Sequence, residues 1–134
     1  MTDQLTAPLP ANDAASGLDH DAIVIGAGVA GLYQIKRLND LGLNATVLEA
    51  EDDLGGTWYN NRYPGARFDS ESYTYGYSWS QELLDEWHWI ERFSPQPETL
   101  KYLNFVADKF DLRPHIQFGV TVEAIVFDED TNAW

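Results

Sequence analysis

Three glycines at fixed spacing carry the strongest chemical signal in the chain. The run Gly26-Ala27-Gly28-Val29-Ala30-Gly31 matches the pattern G-x-G-x-x-G. In this pattern the first glycine allows a tight turn, the second lets the backbone approach a pyrophosphate, and the third lets a helix pack closely against a strand. A helix that begins here would offer free N–H groups and its positive dipole end to phosphate oxygens. The candidate binding residues are Gly26, Gly28, Val29, Ala30 and Gly31.

An acidic residue stands at the position that this motif requires. Glu49 lies 18 residues after Gly31, at the end of a second apolar run. Its carboxylate could accept hydrogen bonds from both ribose hydroxyls of an adenosine, and it would repel a 2′-phosphate, which argues against NADP in this first site. A glycine turn without a ligand is the structural alternative.

A second glycine pair distinguishes FAD from NAD. Leu54-Gly55-Gly56-Thr57-Trp58 follows the acidic residue directly, where a simple NAD dehydrogenase usually proceeds to another helix. Backbone amides of such a turn can lie along the ribityl chain and pyrophosphate of an extended flavin dinucleotide. A plain surface turn is the alternative interpretation.

The next run, from Asn61 to Asp69, combines two guanidinium groups, a Pro-Gly turn and a carboxylate. Arg67 and Asp69 could form a structural ion pair, or Asp69 could lie near a redox centre and fix a cationic partner there. The aromatic residues that follow are more typical of a core or a pocket wall than of cofactor contacts. The three histidines lack metal-ligand spacing, so no metal site is assigned.

The elements that must position these residues form an α/β unit. Ala22 to Ile25 and Ala45 to Leu48 are short apolar runs typical of buried parallel strands. Between them Leu32, Ile35, Leu38 and Leu41 recur three apart, and Gly42 is expected to end the helix. Strand, helix and strand within thirty residues predict a right-handed crossover and the parallel sheet of a Rossmann-like FAD/NAD(P)-binding fold.

The rest of the chain is predicted in less detail. We expect an irregular segment from Glu51 to Asp69, an extended segment, a brief helix, a longer helix, two strands and a hairpin turn. The extended segment is assigned to Tyr73, Tyr75 and Tyr77, and the brief helix to Gln81 to Trp87 after a Ser80 cap. The longer helix starts at Pro97 and carries the apolar stripe Leu100, Leu103, Val106 and Phe110. The two strands are assigned to Ile116 to Phe118 and Val122 to Phe127, and the hairpin turn to Asp128 to Asn132.

Composition excludes several classes of protein. The 134 residues suffice for one small domain, and the absence of cysteine excludes dithiol chemistry in this chain. A net charge of −14 disfavours nucleic-acid binding and anionic membrane surfaces. No apolar run is long enough to span a membrane and no secretory signal precedes the motif, so a cytoplasmic protein is expected.

Two regions are expected from this organisation. Residues 1–18 read as a mobile leader, and 19–134 as a partial FAD-binding domain with an incomplete sheet and the start of a hairpin or meander. The sequence stops where a return strand should begin, which predicts an N-terminal piece of a longer enzyme that is inactive alone.

The run from Gly55 to Arg67, followed by Asp69, resembles type I Baeyer–Villiger monooxygenases such as the phenylacetone, steroid and cyclohexanone enzymes. The resemblance extends from about Asp19 to Trp134, through Glu86-Trp87-His88-Trp89, Gln96-Pro97-Glu98 and Val106 to Arg113. Asn60 departs from the pattern, since many relatives carry an aromatic residue there. A second G-x-G-x-x-G, the family fingerprint and the catalytic arginine are absent from this chain.

The resemblance implies FAD, NADPH and O2, with a C4a-peroxyflavin that converts ketones into esters or lactones. By matching position it implies that Glu49 contacts the ribose and that Asp69 is an active-site carboxylate. It implies that Arg67 and Phe68 contact the nicotinamide cofactor and that Val122 contacts the adenine. The residues that it places at or beside the flavin are Gly56, Thr57, Trp58, Tyr59, Asn60 and Tyr75. An N- or S-oxygenating flavoenzyme and a non-catalytic dinucleotide-binding module remain open. The ketone and the oligomeric state are not predicted.

Overall fold

A three-stranded parallel sheet organises the part of the chain that the computed structural model describes, residues 18–134. Strand β1 (Ala22–Ile25) pairs with β2 (Ala45–Leu48), which pairs with β3 (Ile116–Gln117), in the order β1-β2-β3. Helix α1 (Val29–Asp40) connects β1 to β2. The predicted parallel α/β sheet is therefore confirmed. The expectation that β1 is a buried strand is only half right, because Ile23 and Ile25 point to the other face and are 55% and 54% exposed. The leader predicted for residues 1–18 lies outside the described residues, Leu18 excepted.

Alternate apolar side chains explain how the sheet and α1 pack together. Val24 and Val47 are buried on one face of the sheet, and Leu32 and Ile35 of α1 are buried with them in the core. Leu41 is 43% exposed, so its predicted place in the apolar stripe is wrong. A helix turns by about 100° per residue, so nine residues after Leu32 the chain faces the opposite side. Gly42, with φ of 73°, ends the helix as predicted.

Four α-helices and a short 3-10 helix (Arg113–His115) separate β2 from β3. The α-helices are α2 (Thr57–Asn60), α3 (Ser72–Tyr75), α4 (Gln81–Glu86) and α5 (Gln96–Lys109). The prediction of an irregular segment from Glu51 to Asp69 missed the single turn of α2. The predicted extended segment at Tyr73, Tyr75 and Tyr77 is wrong, because the N–H groups of Thr74 and Tyr75 both bond to the carbonyl of Glu71 and wind the chain into α3.

The other predicted helices are confirmed. Ser80 caps α4, and its Oγ accepts a hydrogen bond from the N–H of Leu83 at 3.3 Å. Pro97 lies in the first turn of α5, where its missing N–H has no helical partner to lose. Leu103 and Val106 bury the inner face of α5 in the same core as the sheet.

The C-terminal region differs from its prediction. Strand β3 is confirmed, although it ends at Gln117. No strand forms from Val122 to Phe127, because a strand requires a neighbouring edge and this segment leaves the sheet after Val120. The turn predicted for residues 128–132 is present, closed by a reciprocal pair of hydrogen bonds between Asp128 and Ala133. Within residues 18–134, none of the helices is both long and apolar enough to cross a membrane.

The third glycine of the motif is required by the packing of α1 on β1. A Cβ atom at Gly31 would lie 1.9 Å from the carbonyl oxygen of Gly26. We expect Gly31→Ala to lower the free energy of unfolding by at least about 2 kcal/mol, as overpacking against rigid backbone does. Urea unfolding checks this.

Gly28→Ala is the matched control, because its added Cβ would meet no atom closer than 3.6 Å and its φ is −78°. We expect that control to stay within about 1 kcal/mol of the parent. Equal unfolding midpoints for the two variants would contradict the packing argument.

Candidate dinucleotide site

The two glycine turns meet at the carboxyl ends of β1 and β2. The N–H of Gly55 donates to the carbonyl of Ala27 at 3.0 Å, so the second turn is hydrogen-bonded to the first. A Cβ built on Gly56 would lie 3.0 Å from the Cα of Gly28, and Gly56 has φ of 53°. Both the close approach and the left-handed backbone therefore favour glycine at position 56.

Glu49 joins the motif turn to the end of β2. Its side chain is buried, and its two oxygens accept hydrogen bonds from the backbone N–H groups of Ala27 at 2.5 Å and Glu51 at 2.9 Å. A buried carboxylate is stable only when such donors compensate its desolvation. Each oxygen retains a further lone pair for a ligand.

The first turn of α1 presents backbone N–H groups at the same edge that have no acceptor among residues 18–134. Gly28 is the N-cap residue and forms no side-chain cap, and the first intrahelical bond runs from the N–H of Leu32 to the carbonyl of Gly28. The N–H groups of Val29, Ala30 and Gly31 therefore have no intrahelical acceptor. Such a helix terminus is suited to bind an anionic group.

Three aromatic residues named by the sequence come together beyond the second turn. The indole Nε1 of Trp58 donates to the hydroxyl of Tyr75 at 2.7 Å. Phe68 stacks on Tyr75 with ring centroids 4.3 Å apart and meets Trp58 edge to face at 5.7 Å. Thr57 and Asn60 are exposed beside this cluster, and Tyr59 is half-buried.

Arg67 and Asp69 do not pair with each other, so that structural interpretation is wrong. Arg67 bonds instead to the carboxylate of Glu91 at 3.1 Å and to the carbonyl of Phe93 at 2.9 Å. Asp69 is exposed and has no ion-pair partner within residues 18–134. Its carboxylate therefore remains available to a cation.

The first turn of α5 holds in place the segment around Trp58 and the segment around Ala66. The buried side chain of Gln96 donates to the carbonyl of Trp58, and its backbone N–H donates to the carbonyl of Ala66 at 2.8 Å. Sequence reasoning missed Gln96 as well as Ala27, the bonding partner of both Glu49 and Gly55. Ala27 occupies a variable position of the glycine motif, and only the Gln-Pro-Glu match pointed to Gln96.

Tyr77 and Tyr102 support the first turn of α1 through hydrogen bonds. The hydroxyl of Tyr77 donates to the carbonyl of Val29 at 2.5 Å, and the N–H of Tyr77 donates to the hydroxyl of Tyr102 at 2.7 Å. Burial raises the pKa of Tyr102 to about 12. Burial and the neighbouring Tyr102 raise the pKa of Tyr77 well above its ordinary value.

Val122 lies two residues after Val120, whose backbone is bonded to Glu49. The N–H of Val120 donates to the carbonyl of Glu49 at 2.9 Å. Beyond this bond the chain leaves the sheet. The contact brings the segment that contains Val122 to the end of β2.

Comparison with known proteins places this geometry in a family. Residues 24–93 match the model of the NAD(P)-binding Rossmann-like domain. An acetone monooxygenase (methyl acetate-forming) of Gordonia sp. (strain TY-5) is 49% identical over 85% of this chain, and a Baeyer–Villiger monooxygenase of Pseudooceanicola batsensis is 47% identical over 92%. These matches confirm the resemblance predicted from the sequence.

A solved structure agrees with these relatives. Oxidised steroid monooxygenase bound to NADP superposes with a TM-score of 0.82 and 52% identity, over 83% of this chain. The chain spans about a fifth of the length of the proteins it matches: 21% of the acetone enzyme, 23% of the Pseudooceanicola enzyme and 21% of the steroid enzyme.

The raised pKa values predict how stability changes in alkali. In the unfolded chain both phenols ionise near their ordinary pKa of 10.0, whereas the folded state keeps them protonated to higher pH. The folded state then binds more protons, so the stabilisation is complete below pH 10 and is lost as the pH rises towards about 12. Urea unfolding at a series of pH values measures this loss.

Tyr77→Phe isolates the contribution of Tyr77. We expect the variant to be less stable than the parent at neutral pH, because the hydrogen bond to Val29 is lost. Above pH 10 the difference between the two proteins should shrink, since the phenol is absent from the variant. Parallel stability profiles would contradict the assignment.

Proposed function

The chain belongs to the NAD(P)-binding Rossmann-like domain family, and from that membership we propose that it forms the FAD-binding part of a Baeyer–Villiger monooxygenase. The observation that carries the proposal is the contact between the two glycine turns, Gly28 against Gly56, at the carboxyl ends of β1 and β2. Ligands of open α/β sheets bind at this edge. A relative 49% identical is a monooxygenase that forms methyl acetate from acetone, as its name states.

The residues of the first turn fit the ADP half of FAD. The absence of a side chain at Gly28 and the free N–H groups of Val29, Ala30 and Gly31 suit a pyrophosphate, and Gly26 allows the turn with φ of 90°. Glu49 would accept the ribose hydroxyls through its remaining lone pairs while keeping its bonds to Ala27 and Glu51. The segment around Val122 would border the adenine.

The second turn and the aromatic cluster would hold the rest of the cofactor. We assign the flavin-facing surface to Gly56 and α2, that is Thr57, Trp58, Tyr59 and Asn60, with Tyr75 behind them. The hydrogen bond between Trp58 and Tyr75, together with the stacking of Phe68, keeps these rings in a single arrangement. A fixed wall lowers the entropy that is lost when a ligand is bound.

Asp69 and Arg67 receive separate roles in the proposal. Asp69 would hold a cationic side chain beside the flavin, and its unpaired carboxylate in residues 18–134 suits that role. Arg67 is fixed by Glu91 and Phe93, and with Phe68 it would border the NADPH. Bound FAD would supply the electron transfer and oxygen activation that this chain's side chains do not provide. The ketone, O2 and a cytoplasmic location remain predictions from the sequence.

The proposed activity is tested on the full-length polypeptide. We expect it to bind FAD, to oxidise NADPH and to convert a ketone into an ester or lactone that carries one oxygen atom from O2. Mass spectrometry of the product formed under isotopically labelled O2 measures this incorporation. FAD binding with oxidation of amines or sulfides and no ester would favour the N- or S-oxygenating alternative.

Asp69→Asn separates the catalytic role of the carboxylate from binding. We expect the variant to bind FAD as tightly as the parent, because Asp69 forms no hydrogen bond with the two glycine turns. Ester formation should fall by about a hundredfold, the usual cost of removing one electrostatic contact at a reacting centre. Unchanged ester formation, measured as kcat, would remove Asp69 from the site.

Glu49→Gln tests the adenosine end of the site. The amide keeps the shape of the side chain but replaces a charged acceptor with a weaker one and a donor, so we expect FAD to bind at least about tenfold more weakly. Glu51→Gln is the matched control, because its half-exposed side chain has the same charge and lies two residues away. Titration calorimetry with FAD measures both. Equal losses in both variants would contradict the role of Glu49.

A further inference from the structure

Six of the eight basic residues in the chain form ion pairs, and the remaining two line one cavity. The pairs are Lys36 and Arg37 with Asp40, Arg67 with Glu91, Arg92 with Glu71, Lys109 with Glu82 and Glu86, and Arg113 with Asp53 and Asp108. Arg62 and Lys101 have no carboxylate partner among residues 18–134. Among the described residues, these two cations at one cavity are therefore available to an anion.

The cavity between Arg62 and the first turns of α5 is a shallow surface depression, widely open to solvent, with a volume of about 400 Å³. It is lined by Arg62, Gln96, Pro97, Leu100, Lys101 and Asn104, and among the described residues no carboxylate contributes to this lining. Glu98 lies in the same turn of α5, but its two oxygens accept from the N–H of Ile90 and the hydroxyl of Ser94. We name this site the Arg62–Lys101 cavity.

The side chain of Arg62 is already oriented to bind an oxyanion. Its Nε donates to the carbonyl of Tyr59 at 2.7 Å, and its guanidinium group lies over the Tyr59 ring at 4.7 Å from the centroid. Among residues 18–134, no group forms a hydrogen bond with its two terminal amino groups. Because the planar guanidinium is already oriented, less rotamer entropy is lost when it binds an anion through two parallel hydrogen bonds.

The other polar groups of the cavity are already engaged. The amide of Gln96 donates to the carbonyl of Trp58, and the amide of Asn104 donates to Leu100 while its oxygen accepts from Arg113. Pro97 and Leu100 supply an apolar wall. Recognition of charge therefore depends on Arg62 and Lys101, and the wall suits a short apolar body.

We propose that the Arg62–Lys101 cavity binds a small organic anion, with a phosphate or carboxylate head between the two cations and an apolar body against Pro97 and Leu100. Apart from Gln96, which bonds to Trp58 and Ala66, its lining shares no residue with the proposed dinucleotide site, and the inference does not depend on FAD binding there. The net charge of −14 repels anions at long range, but salt screens that field over about 10 Å at 0.1 M. We expect a dissociation constant on the order of 1 mM.

Nuclear magnetic resonance on the full chain tests the proposal with four probes. Phenyl phosphate and phenylacetate carry the two possible heads, benzyl alcohol carries the apolar body alone, and inorganic phosphate carries the head alone. We expect either aromatic anion to shift the backbone amides from Gln96 to Asn104, and to bind more weakly as ionic strength rises. The stronger of the two identifies the preferred head. Benzyl alcohol and inorganic phosphate should each bind more weakly than that probe.

Charge-removing variants decide whether the two cations are responsible. We expect Arg62→Gln and Lys101→Gln each to weaken binding about two- to fivefold, the range for exposed ion pairs. Lys101→Arg should retain binding. Arg37→Gln is the matched control, because it changes the net charge equally but removes a cation that is paired with Asp40.

Three outcomes would overturn the proposal. The first is no shift of the α5 amides with either anion. The second is an equal loss of affinity in Arg37→Gln, which would indicate a general field effect. The third is benzyl alcohol binding as tightly as the anions. All four variants change exposed side chains, and the same spectra report whether each remains folded.

Discussion

The contact of two backbone turns without side chains is the constraint on which the site depends. Gly28 and Gly56 approach so closely that a Cβ on Gly56 would lie 3.0 Å from its neighbour's Cα, and the bond from Gly55 to Ala27 holds the turns together. β1 and β2 bring the turns to one edge because parallel strands end together. The remaining elements then serve to keep this contact in place.

Glu49 connects the chemistry of the site to its stability. As a buried carboxylate it requires donors, and the backbone of Ala27 and Glu51 supplies them. Hydrogen bonds to a charged group contribute about 1.5–3 kcal/mol each. The group that would recognise a ribose is therefore also the group that orders the first glycine turn, which reduces the reorganisation needed on binding.

Helix α5 acts as a frame for the segments beyond the second turn. Gln96 bonds to Trp58 and Ala66, and Tyr102 bonds to Tyr77, which in turn supports the first turn of α1. One helix thus positions both the N-terminus of α1 and the aromatic cluster of Trp58, Phe68 and Tyr75. Its outer face carries Lys101, which places the Arg62–Lys101 cavity on the same frame.

The sequence by itself determined the α/β unit, the two glycine turns, the caps at Ser80 and Gly42, and the helix that begins near Pro97. These features depend on local backbone requirements, such as positive φ at glycine or the missing N–H of proline, and local requirements are visible in the residues themselves. The resemblance to monooxygenases likewise came from a contiguous run of residues.

Only the tertiary structure decided which distant groups meet. Glu91 rather than Asp69 pairs with Arg67, Tyr75 turns inward within a helix, and Gln96 reaches Trp58 across 38 residues. The segment from Val122 to Phe127 has strand-forming residues but no neighbouring edge to pair with. Such outcomes depend on where the whole chain brings partners together, and hydrogen bonds between residues far apart in sequence leave no local pattern from which to predict them.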